Sequence, residues 1–95
     1  MATAIIGTGN IGGTLARHLV RGGEPVLLAA KDEANAAALA QELGELARAA
    51  SVEEAITEAD AVVFAVWLDT TKELIATDAR LLESKVVVEI GRAHV

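Results

Sequence analysis

Three glycines near the amino terminus carry the clearest chemical signal in this sequence. Gly7, Gly9 and Gly12 lie in the stretch GTGNIGG and fit the spacing G-x-G-x-x-G. In this pattern the first glycine permits a tight turn, the second lets backbone approach a pyrophosphate, and the third lets a helix pack close to a strand. The free amides at the start of that helix, around Asn10 to Gly12, then direct hydrogen-bond donors and a positive dipole end at the phosphates. The spacing therefore predicts a pyrophosphate-binding turn.

This interpretation needs a strand before the turn and a helix after it, and the sequence predicts both. The apolar run Thr3 to Ile6 suits a buried strand. Apolar side chains then recur at Ile11, Leu15 and Leu19, which indicates a helix that ends at Gly22-Gly23. The turn does not end in the Gly-Lys-Ser or Gly-Lys-Thr of a Walker loop, which argues against a nucleoside triphosphatase.

Strand and helix patterns alternate along the rest of the chain. Further strands are predicted over 25–30, 45–50, 61–67 and 85–90, and further helices over 32–44, 51–60 and 69–84. Short right-handed crossovers between such elements produce a parallel sheet with helices on both faces. The fold class is therefore α/β, a Rossmann-type doubly wound parallel sheet in the order 3-2-1-4-5, in truncated form.

Composition limits the classes of partner. The chain has 95 residues, which is short for a complete two-substrate enzyme. Its net charge of −6 argues against nucleic acid or an anionic membrane surface, since both need clustered Lys and Arg. The absence of cysteine removes disulfides and thiolate chemistry and is compatible with a cytoplasmic location. No apolar stretch reaches the roughly 18 residues of a membrane span, and MATAIIG lacks the pattern of a signal peptide.

The end of the second predicted strand, LLAAKD, indicates which dinucleotide is bound. In NAD-binding folds an Asp or Glu there, about 20 residues after the glycines, binds the ribose hydroxyl. Here Ala29 and Ala30 occupy that position and Lys31 follows, which leaves room for a 2′-phosphate beside a cation. Thr8 would add a hydroxyl donor. NADP is therefore favoured over NAD. Two alternatives remain open. Lys31 would also suit a solvated surface position, and Asp32 is either the N-cap of the next helix or, if the strand ends one residue later, the acid that binds the ribose.

The sequence resembles the NADP-binding domain of the F420-dependent NADP oxidoreductases over nearly its whole length. The stretches that carry the resemblance are IIGTGNIGGTLARHLVRGGEPVLLAAKD, ADAVVFAVWLDTTKELI and LLESKVVVE. The resemblance implies a domain that binds NADP(H), in a family that moves hydride between the nicotinamide and the deazaflavin coenzyme F420. The cofactor-binding positions that we infer are Gly7, Thr8, Gly9, Asn10, Ile11, Gly12, Ala30, Lys31, Ala65, Val66 and Trp67.

Some positions depart from the family pattern. Members often carry a serine and an arginine where Ala30 and Lys31 stand, and a proline near the position of Trp67. The glycine motif is shared with pyrroline-carboxylate and prephenate types of reductase. Another Rossmann reductase, a non-catalytic dinucleotide-sensing or regulatory module, and a fragment that binds nothing therefore remain alternatives.

No catalytic or metal site is predicted. Hydride transfer needs positioning more than an acid or base, because the cofactors carry the chemistry. His18 has the position of an exposed helical residue, and Asp60 and Asp69 flank the fourth predicted strand as boundary or capping residues. Trp67 would stack on a ring of the ligand or pack in the core.

The final stretch, EIGRAHV, differs from the aspartate and Asn-Pro segment that usually follow the last strand in this family. It can be encoded by GAG ATC GGA AGA GCA CAC GTC, a common sequencing-adapter sequence. We therefore expect residues 1–88 to form the NADP-binding domain and 89–95 to be a tail from adapter read-through. On this hypothesis the natural protein continues past Val88, and the chain alone binds a dinucleotide with little or no turnover. The open edge of the last strand is compatible with a homodimer.

Overall fold

The computed structural model describes residues 2–7, 9–30, 32–65 and 86–89. Strands and helices alternate over most of these residues, as the sequence predicts. In chain order the elements are β1 (Thr3–Ile6), α1 (Asn10–Arg21), β2 (Val26–Ala29), α2 (Glu33–Leu43), β3 (Ala47–Ala49), α3 (Val52–Glu58), β4 (Ala61–Phe64) and β5 (Val86–Glu89). The helix predicted over 69–84 lies outside the described residues.

The sheet has five parallel strands in the order β3-β2-β1-β4-β5. This confirms the predicted doubly wound topology. β1 is the central strand, with β2 on one side and β4 on the other, so that Ile6 is paired with both Ala29 and Phe64. The strand order therefore reverses between β1 and β4, and ligands of open α/β sheets bind in the crevice at the carboxyl ends of the strands at such a point.

Helices cover both faces of the sheet, which explains why the strands are apolar on both sides. On one face, Ala4, Ile6 and Phe64 belong to the same buried cluster as Ala55 and Ile56 of α3. The opposite face is covered by α1 and α2. Its buried residues are Ile5, Ala16, Val26, Leu28, Ala36, Leu39 and Val63. Alternate residues of β1 thus lie on opposite faces, and both faces are shielded from water.

The ends of two helices are set by local sequence. At the end of α1, Gly23 has a φ of +86° and its N–H donates to the Val20 carbonyl at 2.9 Å. The Glu24 N–H reaches back to the Leu19 carbonyl at 2.9 Å, which completes a Schellman motif. At the start of α3, the Ser51 hydroxyl accepts from the Glu54 N–H at 3.1 Å, as the capping-box spacing predicts.

The strands are shorter than the apolar runs that predict them. β2 begins after Pro25 and ends before Ala30, and β4 ends at Phe64, so that Ala65 follows the strand instead of belonging to it. β5 extends to Glu89, which is paired with Phe64. Within the described residues, no helix has both the length and the apolar character needed to cross a membrane.

Candidate functional site

The turn between β1 and α1 depends on a glycine at its first position. Gly7 is buried and has a φ of +106°, a backbone conformation that side chains disfavour. Its N–H donates to the Ala29 carbonyl at 2.7 Å, so that the turn is fastened to the end of β2. The chain therefore leaves β1 abruptly at the carboxyl edge of the sheet, beside the point where the strand order reverses.

At Gly12, α1 approaches the end of β1 closely. A Cβ atom added at Gly12 would lie 2.0 Å from the Gly7 carbonyl oxygen and 3.3 Å from the Cβ of Ala65. The first of these distances is far inside van der Waals contact with backbone atoms, so no side chain fits. The close helix-to-strand packing that the motif predicts at its third glycine is therefore present.

Gly9 stands in a different environment. It is the N-cap residue of α1, its φ of −72° is accessible to any residue, and it is exposed. A Cβ atom added there would meet nothing within 4 Å. Packing and backbone conformation in the described part of the chain therefore give no reason for a glycine at this position, and among these residues the space beside Gly9 is open.

The first turn of α1 directs backbone donors toward this open space. The Gly13 N–H donates to the Gly9 carbonyl at 2.7 Å, which is the first hydrogen bond of the helix. The amides of Asn10, Ile11 and Gly12 precede it and have no acceptor within the helix. Gly9 has no side chain to cap them, and the first turn contains no acidic residue. This arrangement suits an anion that accepts hydrogen bonds and is attracted by the positive end of the helix dipole.

The end of β2 carries small apolar residues where a ribose-binding acid would stand. Ala29 is buried, and Ala30, which follows the strand, is half-buried against the cluster under α1 and α2. Asp32 is the N-cap of α2, and its Oδ1 accepts from the Ala34 N–H at 3.0 Å. Of the two roles that the sequence leaves to Asp32, the structure shows the capping role.

The carboxyl end of β4 meets the glycine turn. The Ala65 N–H donates to the Ile6 carbonyl at 2.8 Å, and its side chain is half-buried against Gly12. The structure thus gathers five of the predicted positions at the ends of β1, β2 and β4. They are Gly7, Gly9, Gly12, Ala30 and Ala65. The predicted positions Thr8, Lys31, Val66 and Trp67 lie outside the described residues, as do the side chains of Asn10 and Ile11.

Two backbone contacts at this edge are not signalled by the sequence. One is the bond from Gly7 to the Ala29 carbonyl, and the other is the bond from the Ala50 N–H to the Leu28 carbonyl at 2.9 Å, which brings the loop before α3 to the same edge. Both bonds join main-chain atoms, which every residue type carries, so the sequence does not show which residues they connect.

Other candidate side chains lie away from this edge. His18 is exposed on α1, as predicted, and Asp60 accepts a hydrogen bond from the Ala2 N–H at 3.0 Å, which ties the start of β1 to the start of β4. In the part of the chain that the structure describes, no group of three or more His, Asp or Glu side chains could hold a metal ion.

The fold and the glycine turn define a Rossmann-like α/β domain. The chain belongs to the family described as NADP oxidoreductase, coenzyme F420-dependent, whose model matches residues 2–92. No curated protein sequence matches the chain.

The solved structures with this fold include imine reductases and a dehydrogenase. An imine reductase from Myxococcus stipitatus in complex with NADP+ is 26% identical, with a TM-score of 0.86 over 96% of this chain and 32% of that one. A V8 variant of an imine reductase from Myxococcus stipitatus in complex with NAD+ is 24% identical, with a TM-score of 0.84 over 95% of this chain and 31% of that one. A UDP-N-acetylglucosamine 3-dehydrogenase from Acidithiobacillus ferrooxidans is 23% identical, with a TM-score of 0.79 over 94% of this chain and 28% of that one. The chain thus spans about a third of the length of these structures.

The different packing of Gly12 and Gly9 predicts that the same substitution has a large effect on stability at the first and almost none at the second. Gly12→Ala places a methyl group against the Gly7 carbonyl and forces α1 away from β1, so we expect it to lower the free energy of unfolding by about 1–3 kcal/mol, as overpacking does. Gly9→Ala meets open space, and we expect a change within about 0.5 kcal/mol. Urea unfolding followed by circular dichroism measures both. Equal destabilisation by the two variants would contradict the different packing of the two positions.

The capping role of Asp32 predicts that its amide variant is harmless. Asn caps helices as well as Asp, so Asp32→Asn should keep the stability of α2, whereas Asp32→Ala should cost about 1 kcal/mol in the free energy of unfolding. Dinucleotide titration of the two variants supplies the second measurement. A large loss of NADH binding in Asp32→Asn, with stability unchanged, would mean that Asp32 binds the ribose after all.

Proposed function

We propose that this chain is the NADP(H)-binding domain of an oxidoreductase that transfers hydride between NADP(H) and a second cofactor or substrate such as coenzyme F420. The observation that carries the proposal is the contrast between two glycines in one turn. Gly12 is required by packing, whereas Gly9 is exposed beside open space and free amides. A glycine that neither the packing nor the backbone conformation of the described residues requires is explained by a ligand that approaches the backbone there. Membership of the family supports NADP(H) as that ligand.

The pyrophosphate would lie over the start of α1. There the amides of Asn10, Ile11 and Gly12 supply hydrogen-bond donors, and the missing side chain of Gly9 lets the phosphates approach the backbone. In this position the dinucleotide would run along the carboxyl edge of the sheet across β1, which is where doubly wound folds bind ligands. Ala65, Val66 and Trp67 would follow its length on the side of β4.

The 2′-phosphate would lie beyond the end of β2, which supports NADP over NAD. Ala30 is small, and the carboxylate of Asp32 is engaged with the Ala34 amide, so a ribose-binding acid is missing from the position where NAD-binding folds have one. We assign Lys31 and Thr8 to the 2′-phosphate, as a cation and a hydroxyl donor respectively. The match to a family of NADP oxidoreductases supports the same preference.

The nicotinamide ring, when bound, supplies the hydride chemistry. The chain's own residues hold and orient the dinucleotide, and orientation accounts for much of the catalysis when the cofactor carries the reaction. The acidic composition does not oppose binding of this anion, because backbone amides of a helix terminus act at short range and need no cationic side chain.

A second candidate is a reductase with a different hydride acceptor. The solved structures that share the fold include several imine reductases, one of them with NADP+ bound. The same dinucleotide-binding domain serves many substrates, since substrate choice depends on residues outside it. The chain spans about a third of these neighbours, so coenzyme F420 as the hydride acceptor rests on the family alone.

Dinucleotide titration tests the proposal directly. We expect NADPH to bind saturably, with a change in its fluorescence, and more tightly than NADH. Gly9→Ala, which we expect to fold normally, should weaken the binding of both dinucleotides by about tenfold, or about 1.4 kcal/mol, because its methyl group would occupy the approach of the pyrophosphate. Failure of the wild-type chain to bind either dinucleotide would contradict the proposal, and tighter binding of NADH would overturn the NADP preference.

The position after β2 predicts a switch in cofactor preference. Ala30→Asp places a carboxylate where it repels a 2′-phosphate and accepts from a ribose hydroxyl, so the ratio of NADPH to NADH affinity should fall by about tenfold. Ala30→Asn, which has nearly the same shape without the charge, is the matched control and should leave the ratio closer to that of the wild type. An unchanged ratio in Ala30→Asp would show that the 2′ group binds elsewhere.

A further inference from the structure

The first turn of α1 lies against two groups at the carboxyl edge of the sheet. A Cβ atom at Gly12 would lie 2.0 Å from the Gly7 carbonyl oxygen and 3.3 Å from the methyl group of Ala65. The bare α carbon of Gly12 thus lies close both to the residue that follows β1 and to the residue that follows β4.

Ala65 is held in place by its backbone and by the alternation of β4. Its N–H donates to the Ile6 carbonyl at 2.8 Å, which fixes it to β1. Val63 belongs to the cluster under α1 and α2, Phe64 belongs to the cluster under α3, and Ala65 again packs against the cluster under α1 and α2. A larger side chain at position 65 would therefore extend on the face where α1 begins.

We propose that Ala65 is a positioning residue whose small side chain sets where the amides of the first turn of α1 stand, and thereby the affinity for the pyrophosphate of the dinucleotide. This inference rests on the proposed function for its ligand. It assigns Ala65 a role through Gly12, in addition to any contact with the dinucleotide. Because a Cβ at Gly12 would lie 3.3 Å from the Ala65 methyl group, a larger side chain at position 65 would press on the first turn of α1 and shift it.

The hydrogen bond from the Gly13 N–H to the Gly9 carbonyl, 2.7 Å long, reports on this turn in the absence of any ligand. Amide hydrogen exchange measures how often such a bond opens. If Ala65 positions the turn, a larger residue at 65 loosens or lengthens this bond in the free protein. If Ala65 only touches the dinucleotide, the same substitution leaves the exchange of Gly13 unchanged.

The test compares Ala65→Val with Ala47→Val. Ala47 is also half-buried against the cluster under α1 and α2, but it lies in β3 at the amino end of the strand, so the control adds the same volume on the same face away from the turn. We expect Ala65→Val to weaken NADPH binding by about tenfold, which corresponds to about 1.4 kcal/mol, and to speed the exchange of the Gly13 amide. Ala47→Val should change neither.

A ligand without the pyrophosphate separates positioning from a general loss of structure. Adenosine 2′-monophosphate, titrated by NMR, should bind Ala65→Val as it binds the wild type. Ala65→Ser adds a single oxygen, so its NADPH affinity and its Gly13 exchange should lie between those of the wild type and of Ala65→Val. This smaller substitution also tests the inference if Ala65→Val does not fold.

Three results would overturn the inference. In Ala65→Val, these are an unchanged affinity for NADPH, an equal loss of affinity for NADPH and for adenosine 2′-monophosphate, and a loss of NADPH affinity with unchanged exchange of the Gly13 amide. Absence of NADPH binding in the wild-type chain would instead remove the proposed function, and the exchange of Gly13 would still show whether Ala65 positions the turn.

Discussion

The approach of α1 to the end of β1 at Gly12 is the contact on which the candidate site depends. Because no side chain separates Gly12 from the Gly7 carbonyl and from Ala65, the first turn of the helix lies directly on the carboxyl edge of the sheet. The amides that precede the Gly13 hydrogen bond are therefore presented at the edge where ligands of such sheets bind.

The sheet provides the platform for this contact. β1 is central and buried on both faces, and its end is paired with β2 and β4. The Ala29 carbonyl holds Gly7, and the Ile6 carbonyl holds Ala65, so the ends of the three strands and the turn form one hydrogen-bonded unit. The helices bury the apolar side chains on both faces of the sheet. At the carboxyl edge, by contrast, backbone polar groups can meet solvent or a ligand.

The negative net charge of the chain does not prevent the binding of an anion, because the backbone amides at the start of α1 act at short range. The chain carries a net charge of −6, yet the first turn of α1 has no acidic residue, and the carboxylate of Asp32 is engaged in capping α2. The family to which the chain belongs is described as NADP oxidoreductases, and an imine reductase that shares the fold was solved in complex with NADP+. The same fold in imine reductases and in a sugar-nucleotide dehydrogenase illustrates that the domain is shared while substrates differ.

The sequence by itself determined the order of the elements and the type of turn. Several signals are local in the sequence. Continuous apolar runs predict strands such as β1, whereas a helical repeat and capping residues such as Gly23 and Ser51 predict α1 and α3. The alternation of these elements predicts the parallel order of the strands. Strand ends were predicted less well, since an apolar run continues past the last residue of the strand, as at Ala65. Tertiary structure decided three matters. It gave Asp32 its capping role through the Ala34 amide, distinguished the packed Gly12 from the exposed Gly9, and brought Ala65 against α1. Each depends on atoms that the fold brings together or keeps apart, and residue types and spacing do not contain that information.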